Sequence, residues 1–146
     1  MYFYCIIIFW VLVDLASKYW SSIFVNEKFP ILWDFLYLYY IKNDGIAFSI
    51  DVPFLKIVTI VLILGIFYYY FTEEKNKQSK LIDISFWLIL AWAIWNGIER
   101  VLYWAVTDFI WVQWFAIFNL ADSCITIWAI IYIYYLYITW AWAHKK

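Results

Sequence analysis

Glycine is scarce, with three in 146 residues where an average chain of that length holds about ten. Proline is limited to two, so neither a collagen-like repeat nor a Pro/Gly linker divides the chain. The two cysteines, Cys5 and Cys124, sit inside apolar runs, where a thiol behaves as a small hydrophobe and no disulfide framework or metal spacing arises. The single histidine, His144, lies in the tail beside Lys145 and Lys146. A His-based zinc site or a Ser/His/Asp triad therefore lacks its parts, and neither a metal nor a cofactor is expected. Charge is sparse at 14% of residues and nearly cancels to −1. With no basic field and no basic amphipathic face, the composition argues against a nucleic-acid partner.

What is present is apolar: 68% hydrophobic residues, 27% aromatic, and a mean hydropathy of +0.80. That is the composition of a membrane protein, and the length is one domain's worth. A hydrocarbon core of about 30 Å needs roughly 20 apolar helical residues. Four stretches meet it, 2–20, 54–71, 81–98 and 120–143, so the expected fold is an all-α membrane domain of four transmembrane helices over residues 1–146. The first stretch has no basic residue before its apolar run and no small-x-small site after it, so it is read as a retained span rather than a cleaved signal peptide. Lys75, Lys77 and Lys80 between spans two and three, with Lys145 and Lys146 at the end, place that link and both termini in the cytoplasm. The connections 21–53 and 99–119 then face outward. Within the first, 31–41 is rich in β-branched and aromatic residues and is followed by Asn43-Asp44-Gly45, which predicts one or two strands closed by a turn. The second, short and largely apolar, predicts a segment lying in the membrane interface. Tyrosine-rich runs at 68–70 and 132–137 are read as interfacial belts.

Two carboxylates, Asp108 and Asp122, have no cation beside them in sequence and stand at the edge of a predicted span. An ionisable group at such depth is costly and marks a functional site by default. Two carboxylates in contact at low dielectric do not both ionise. One holds a proton while the other takes a proton from water, an acid and a base made from one residue type. An aspartate near a span end also serves as a helix cap or sits solvated at the headgroups. What favours chemistry is the polar set predicted on the same side of the membrane: Asp14, Lys18, Asn43, Asn96, Arg100 and Asn119. Asp14 and Lys18, spaced i, i+4, share a helix face.

These residues fall in strings that resemble the motifs of the bacterial lipoprotein signal peptidase (signal peptidase II) family along nearly the whole chain. D-L-A-S-K at 14–18, N-D-G-I-A-F-S at 43–49, N-G-I-E-R at 96–100, V-T-D-F at 106–109 and F-N-L-A-D-S at 118–123 occur in the family's order. The resemblance implies an intramembrane aspartyl endopeptidase that cleaves the signal peptide of a diacylglyceryl-modified prolipoprotein at its lipobox cysteine. It implies Asp108 and Asp122 as the catalytic pair. Asn43, Gly45, Asn96, Arg100 and Asn119 would shape the site, supported by Asp14 and Lys18 from span one. A small extracytoplasmic β-cradle with an interfacial segment, a bacterial cell-membrane location with the site on the outer face, contact with membrane lipid and sensitivity to globomycin-type inhibitors are implied with it. The rival readings are a small four-span proton-coupled transporter, which would want its acids near the midplane, and an inactive homologue that only binds lipoprotein precursors.

The chain departs from the family pattern in three ways, one of them the interval from Asp108 to Asp122, 14 residues, which is shorter than the family's. Glu99 stands where the family has aspartate. Trp92, Trp95, Trp104 and Trp128 stand where it favours glycine, in a chain with twelve tryptophans. Glycine lets helices approach closely, so an indole at those places predicts crowding around residues 92–104. One reading of this excess is a gene in which UGA encodes glycine; the other is an unusually aromatic membrane sequence.

Overall fold

Helix α3 (Lys80–Tyr103) is the axis on which the other elements pack. The structure is a computed structural model, and it describes residues 2–45, 53–77 and 79–144; the Ile46–Ser49 half of the second motif and the terminal lysines lie outside them. Before α3 come α1 (Tyr2–Phe24), strands β1 (Phe29–Leu32) and β2 (Leu36–Asn43), and α2 (Leu55–Tyr69). After it come β3 (Val106–Val112), β4 (Ile117–Phe118) and α4 (Leu120–Ala143). A π-helical turn and a short 3-10 turn prolong α2 to Lys77.

Buried residues on α3 recur as Ile82, Ser85, Ile89, Trp92, Asn96 and Glu99, the three-then-four spacing of one helix stripe. The stripe starts apolar and ends polar. On α1 the residues buried at 14, 18 and 21 are Asp14, Lys18 and Ser21, while Phe9, Leu12 and Tyr19 of the same helix are more than half exposed. Polar groups inside and apolar groups outside invert the soluble pattern and suit a lipid surround. Among the described residues three helices are long and apolar enough to cross a membrane, Leu55–Lys77, Lys80–Tyr103 and Leu120–Trp142. At 1.5 Å per residue, the 24 residues of α3 reach about 36 Å.

The four strands form one antiparallel sheet in the order β1-β2-β3-β4, and 31–41 holds parts of two of them, separated by a turn at 33–35. The second outward connection carries secondary structure that the sequence did not predict: within residues 106–118 lie β3 and β4 of the same sheet. Val106, Thr107, Phe109, Ile110, Trp111 and Val112 are β-branched or aromatic residues, which fit a pleated half-buried surface better than a helix, and the free edge of β2 is there to pair with them. Register runs Leu38↔Ile110 and then Ile41↔Asp108, with a bulge on β2 between. The extra residue re-aims the end of β2, and Asn43, paired with Val106, comes onto the same face as Asp108 two positions along.

At the other end of α3, buried Glu74 takes hydrogen bonds from Lys77 Nζ at 2.6 Å and Tyr69 OH at 3.1 Å, and Tyr70 OH donates to Asp83 at 2.8 Å. These contacts fasten the end of α2 to its own turn and to the start of α3, far along the chain from the aspartates.

Candidate active site

The polar end of α3 meets α1, the start of α4 and the paired ends of β2 and β3, and one hydrogen-bonded network runs through all of them. Lys18 Nζ sits 2.7 Å from Asn96 Oδ1, 2.6 Å from Glu99 Oε2 and 2.9 Å from Asp14 Oδ2. Lys18, 4% exposed, donates hydrogen bonds to Asn96 and Glu99, and its contact with Asp14 Oδ2 is an ion pair without hydrogen-bond geometry. Asp14 also accepts from the backbone N–H of Ala121 at 2.9 Å, which ties span one to the first turn of α4.

Asn96 passes the network on, its Nδ2 donating to Asp122 Oδ1 at 2.9 Å. Asn119 is the N-cap of α4: its Oδ1 accepts from Asp122 N–H at 3.0 Å, and its own N–H donates to Asp122 Oδ2 at 3.3 Å. This reciprocal capping box satisfies two of the free N–H groups at the helix start. The remaining arm of Asn119, Nδ2, donates to Asp108 Oδ1 at 2.8 Å. From the other side Asn43 Nδ2 donates to Asp108 Oδ2 at 2.7 Å, while Asn43 Oδ1 accepts from Gly45 N–H at 3.0 Å. Arg100 Nη2 donates to the carbonyl of Gly45 at 3.2 Å.

Three asparagines thus aim their amide NH2 groups at carboxylates, and each is oriented by a donor that cannot reverse. Lys18 holds the carbonyl of Asn96, the Asp122 N–H that of Asn119, and the Gly45 N–H that of Asn43. An ammonium or a backbone N–H only donates, so none of these amides can flip without setting donor against donor. Asn119 touches both aspartates and sets their relative position.

Asp108 is 2% exposed, and burial above all, joined by the charge of Asp122, pushes its carboxyl up from 3.8 to about 6; the amides of Asn43 and Asn119 pull the other way. Asp122 is half-buried and opens onto a cavity of about 530 Å³ with Arg100 and Asn43 at its polar end and Phe115, Phe118 and Ile127 among its walls. The volume is that of a small-ligand site. In the buried set four acids, Asp14, Glu99, Asp108 and Asp122, face two bases, Lys18 and Arg100. The excess of negative charge favours one proton held between the aspartates. Among the described residues no cluster suited to a metal ion is present.

All nine residues singled out from the sequence, Asp14, Lys18, Asn43, Gly45, Asn96, Arg100, Asp108, Asn119 and Asp122, lie within this network. Glu99, which the sequence showed as a departure within the N-G-I-E-R motif, belongs to it as well through Lys18. The crowding expected around 92–104 is not what the structure shows. Trp92 packs cleanly at 2% exposure beside Leu88 and Ala121, whereas Trp104 is 74% exposed in a left-handed backbone conformation, φ 63°.

The family described as signal peptidase (SPase) II matches residues 6–138. A lipoprotein signal peptidase of Bartonella bacilliformis is 40% identical over 131 residues, covering 82% of this chain and 78% of that protein. One from Listeria welshimeri is 31% identical over 147 residues, covering 94% of each. A bacterial membrane enzyme solved by the in meso method at 2.3 Å resolution is similar with a TM-score of 0.81 at 28% identity, over 99% of this chain and 92% of its own. A second, solved in the same way at 1.9 Å, gives 0.74 at 30%, over 92% and 91%.

Proposed function

The chain belongs to the signal peptidase II family, and from that premise we propose that it removes signal peptides from diacylglyceryl-modified prolipoproteins, with Asp108 and Asp122 as an aspartic catalytic pair. The observation that carries the reading is the shared anchoring of the two carboxylates by Asn119 beside a cavity with a polar end and apolar walls. The pair holds one proton and titrates as a unit. Burial gives Asp108 the larger share of it. Asp122 stands in the first turn of α4, where it takes the N–H of Asn119 and the amide of Asn96.

Hydrolysis then proceeds by general acid–base chemistry. A water between the carboxyls gives a proton to Asp122 as its oxygen attacks the scissile carbonyl, and Asp108 donates its proton to the carbonyl oxygen. The tetrahedral gem-diol collapses as the proton on Asp122 passes to the leaving amine and one hydroxyl of the intermediate returns its proton to Asp108, which restores the singly protonated pair. Asn43, Asn96 and Asn119 keep both carboxyls in place through these transfers. Gly45 and Arg100 shape the mouth, and Asp14 and Lys18 support Asn96 and α4 from behind. The apolar walls accept the lipid-bearing part of the substrate, which reaches the site from the bilayer.

In this reading α1 is the fourth crossing, the domain is one unit, and the network lies at the outer face of a bacterial cell membrane with both termini cytoplasmic. Globomycin-type inhibitors, implied by the family resemblance, would occupy the same cavity. Neither a proton-coupled transporter nor an inactive precursor-binding protein is supported by the family. Purified chain given a precursor with and without diacylglycerol on its lipobox cysteine tests the reading. Cleavage just before the cysteine, only with the lipid present and blocked by a globomycin-type peptide, is expected; lipid-independent cleavage, or none, would sink it.

A further inference from the structure

We propose that positions 33, 95, 104 and 114, written as tryptophan, are glycine in the protein its own cells make, through UGA codons that those cells read as glycine.

Four non-glycine residues among those described have positive φ: Trp33 (42°), Phe54 (58°), Trp104 (63°) and Trp114 (66°). Three of the four are tryptophan, a residue that supplies only 12 of 146 positions, and no glycine among the described residues takes such a conformation. The left-handed region is a genuine outlier for a bulky side chain and the ordinary territory of glycine. Each of the three also sits where the local hydrogen bond names the turn. Phe35 N–H donates to Leu32 O at 3.0 Å, so Trp33 is the first central residue of a hairpin turn between β1 and β2. Positive φ there and not at the next position is the pattern of the glycine-led II′ turn. Phe115 N–H donates to Val112 O at 3.0 Å, which makes Trp114 the second central residue of the β3–β4 turn, where positive φ is the type II requirement for glycine. Trp104 ends α3, its N–H donating to Arg100 O at 3.1 Å, the left-handed helix terminus that glycine dominates.

The side chains have little to offset this strain. Trp33 is 85% and Trp114 90% exposed, and neither ring meets another ring or a cation among the described residues. Lys56 Nζ lies 2.9 Å from the centroid of the Trp104 ring, but it also donates to Val101 O at 3.1 Å and keeps that partner without the indole. Anchoring at the headgroups accounts for exposed tryptophan and not for the choice of left-handed sites, since any neighbouring position would anchor as well. Trp95 gives a different sign of the same exchange. Its indole N–H is buried beside Asn96 in the chain with no acceptor among the described residues, an unmet donor that glycine does not have. Trp87 and Trp111 behave otherwise. Trp87 stands edge-on to Phe67 and Tyr70, and Trp111 stacks on Tyr37 and carries Lys28 Nζ at 3.6 Å. They are genuine. Trp92 and Trp128, packed around Ala121, carry no strain that assigns them.

UGA differs from the glycine codon GGA by one base, so a single change in one tRNA links the two readings. The gene is therefore expected to carry UGA at 33, 95, 104 and 114 and UGG at 87 and 111. Peptide mass spectrometry on the protein from its own cells is expected to find glycine at the first four positions and tryptophan at the last two. In parallel, the triple variant Trp33→Gly/Trp104→Gly/Trp114→Gly in detergent is expected to melt roughly 5 to 10 °C above the chain as written, while Trp111→Gly melts below it. UGG at 33, 104 and 114, tryptophan in those native peptides, or a triple variant that melts no higher overturns the proposal. None of these readouts depends on cleavage, so they stand or fall apart from the assigned activity.

Discussion

Between about pH 4 and pH 6 the folded chain keeps a proton on Asp108 that the unfolded chain releases, because burial lifts the folded carboxyl from 3.8 to about 6. The folded state binds more protons in that window, so this contribution to stability is full below the lower value and is lost as pH rises through the upper one. Thermal melts across pH 4 to 7 are expected to show that decline and to lose it in Asp108→Asn; an unchanged slope in the variant would assign the proton elsewhere. A second residue-scale consequence concerns Glu99, whose carboxylate holds Lys18 at 2.6 Å while Lys18 holds Asn96. Glu99→Gln loosens that orientation without touching substrate. It is expected to lower kcat by about tenfold, worth about 1.4 kcal/mol, with KM near the parent value, and Glu99→Asp to restore much of the loss. Equal kinetics in all three would reduce Glu99 to a bystander. Because Lys18 is buried among carboxylates, Lys18→Met is a harsher change, costing about 3 kcal/mol or more in stability.

At the scale of elements, α4 begins where the proposed catalytic pair is set. Asn119→Ala removes both the N-cap and the amide on Asp108, so a stability loss of about 1 to 2 kcal/mol and a fall in cleavage larger than that loss explains are expected together. Asn119→Asp keeps a cap acceptor but adds a third carboxylate, and is expected to fold and fail to cleave. A variant that melts low and cleaves normally would separate capping from the site. The helices and the β1–β2 hairpin were legible because apolar run length and β-branched clusters are local signals. Strands β3 and β4 were not, because Val106 to Phe118 is apolar enough to pass for an interfacial segment and its strand character depends on pairing with β2, a contact 65 residues away in the chain at Asn43–Asp108. The bulge in β2 had no local signal either. The polar site residues stood out since charge and amide groups are rare in this sequence; Glu99 showed there only as a departure from the motif, since its hold on Lys18 Nζ at 2.6 Å comes from packing.

For the whole molecule, the long axis separates two chemistries. Asp14, Lys18, Asn96 and the aspartates gather at the sheet end, and Lys75, Lys77 and Lys80 lie at the opposite end of α3. With Cys5 and Cys124 replaced by serine, a single cysteine at Asn76 is expected to react with an impermeant maleimide only from the cytoplasmic side, and one at Glu27, exposed before β1, only from outside. The reverse pattern would invert the site's placement. The large exposed apolar faces of α2 and α4, where Ile57, Leu64, Ile130 and Ile133 are each about 60% exposed, are then covered by lipid.

The claim at the centre is that two anchored carboxyls hydrolyse an amide together, and single-turnover cleavage of a lipidated precursor by the parent, Asp108→Asn and Asp122→Asn tests it most directly. Each variant is expected to bind precursor as the parent does and to lose about 10²-fold to 10⁴-fold or more in the cleavage rate, with no further loss in the double variant. Near-parent cleavage in either single variant would contradict the paired mechanism.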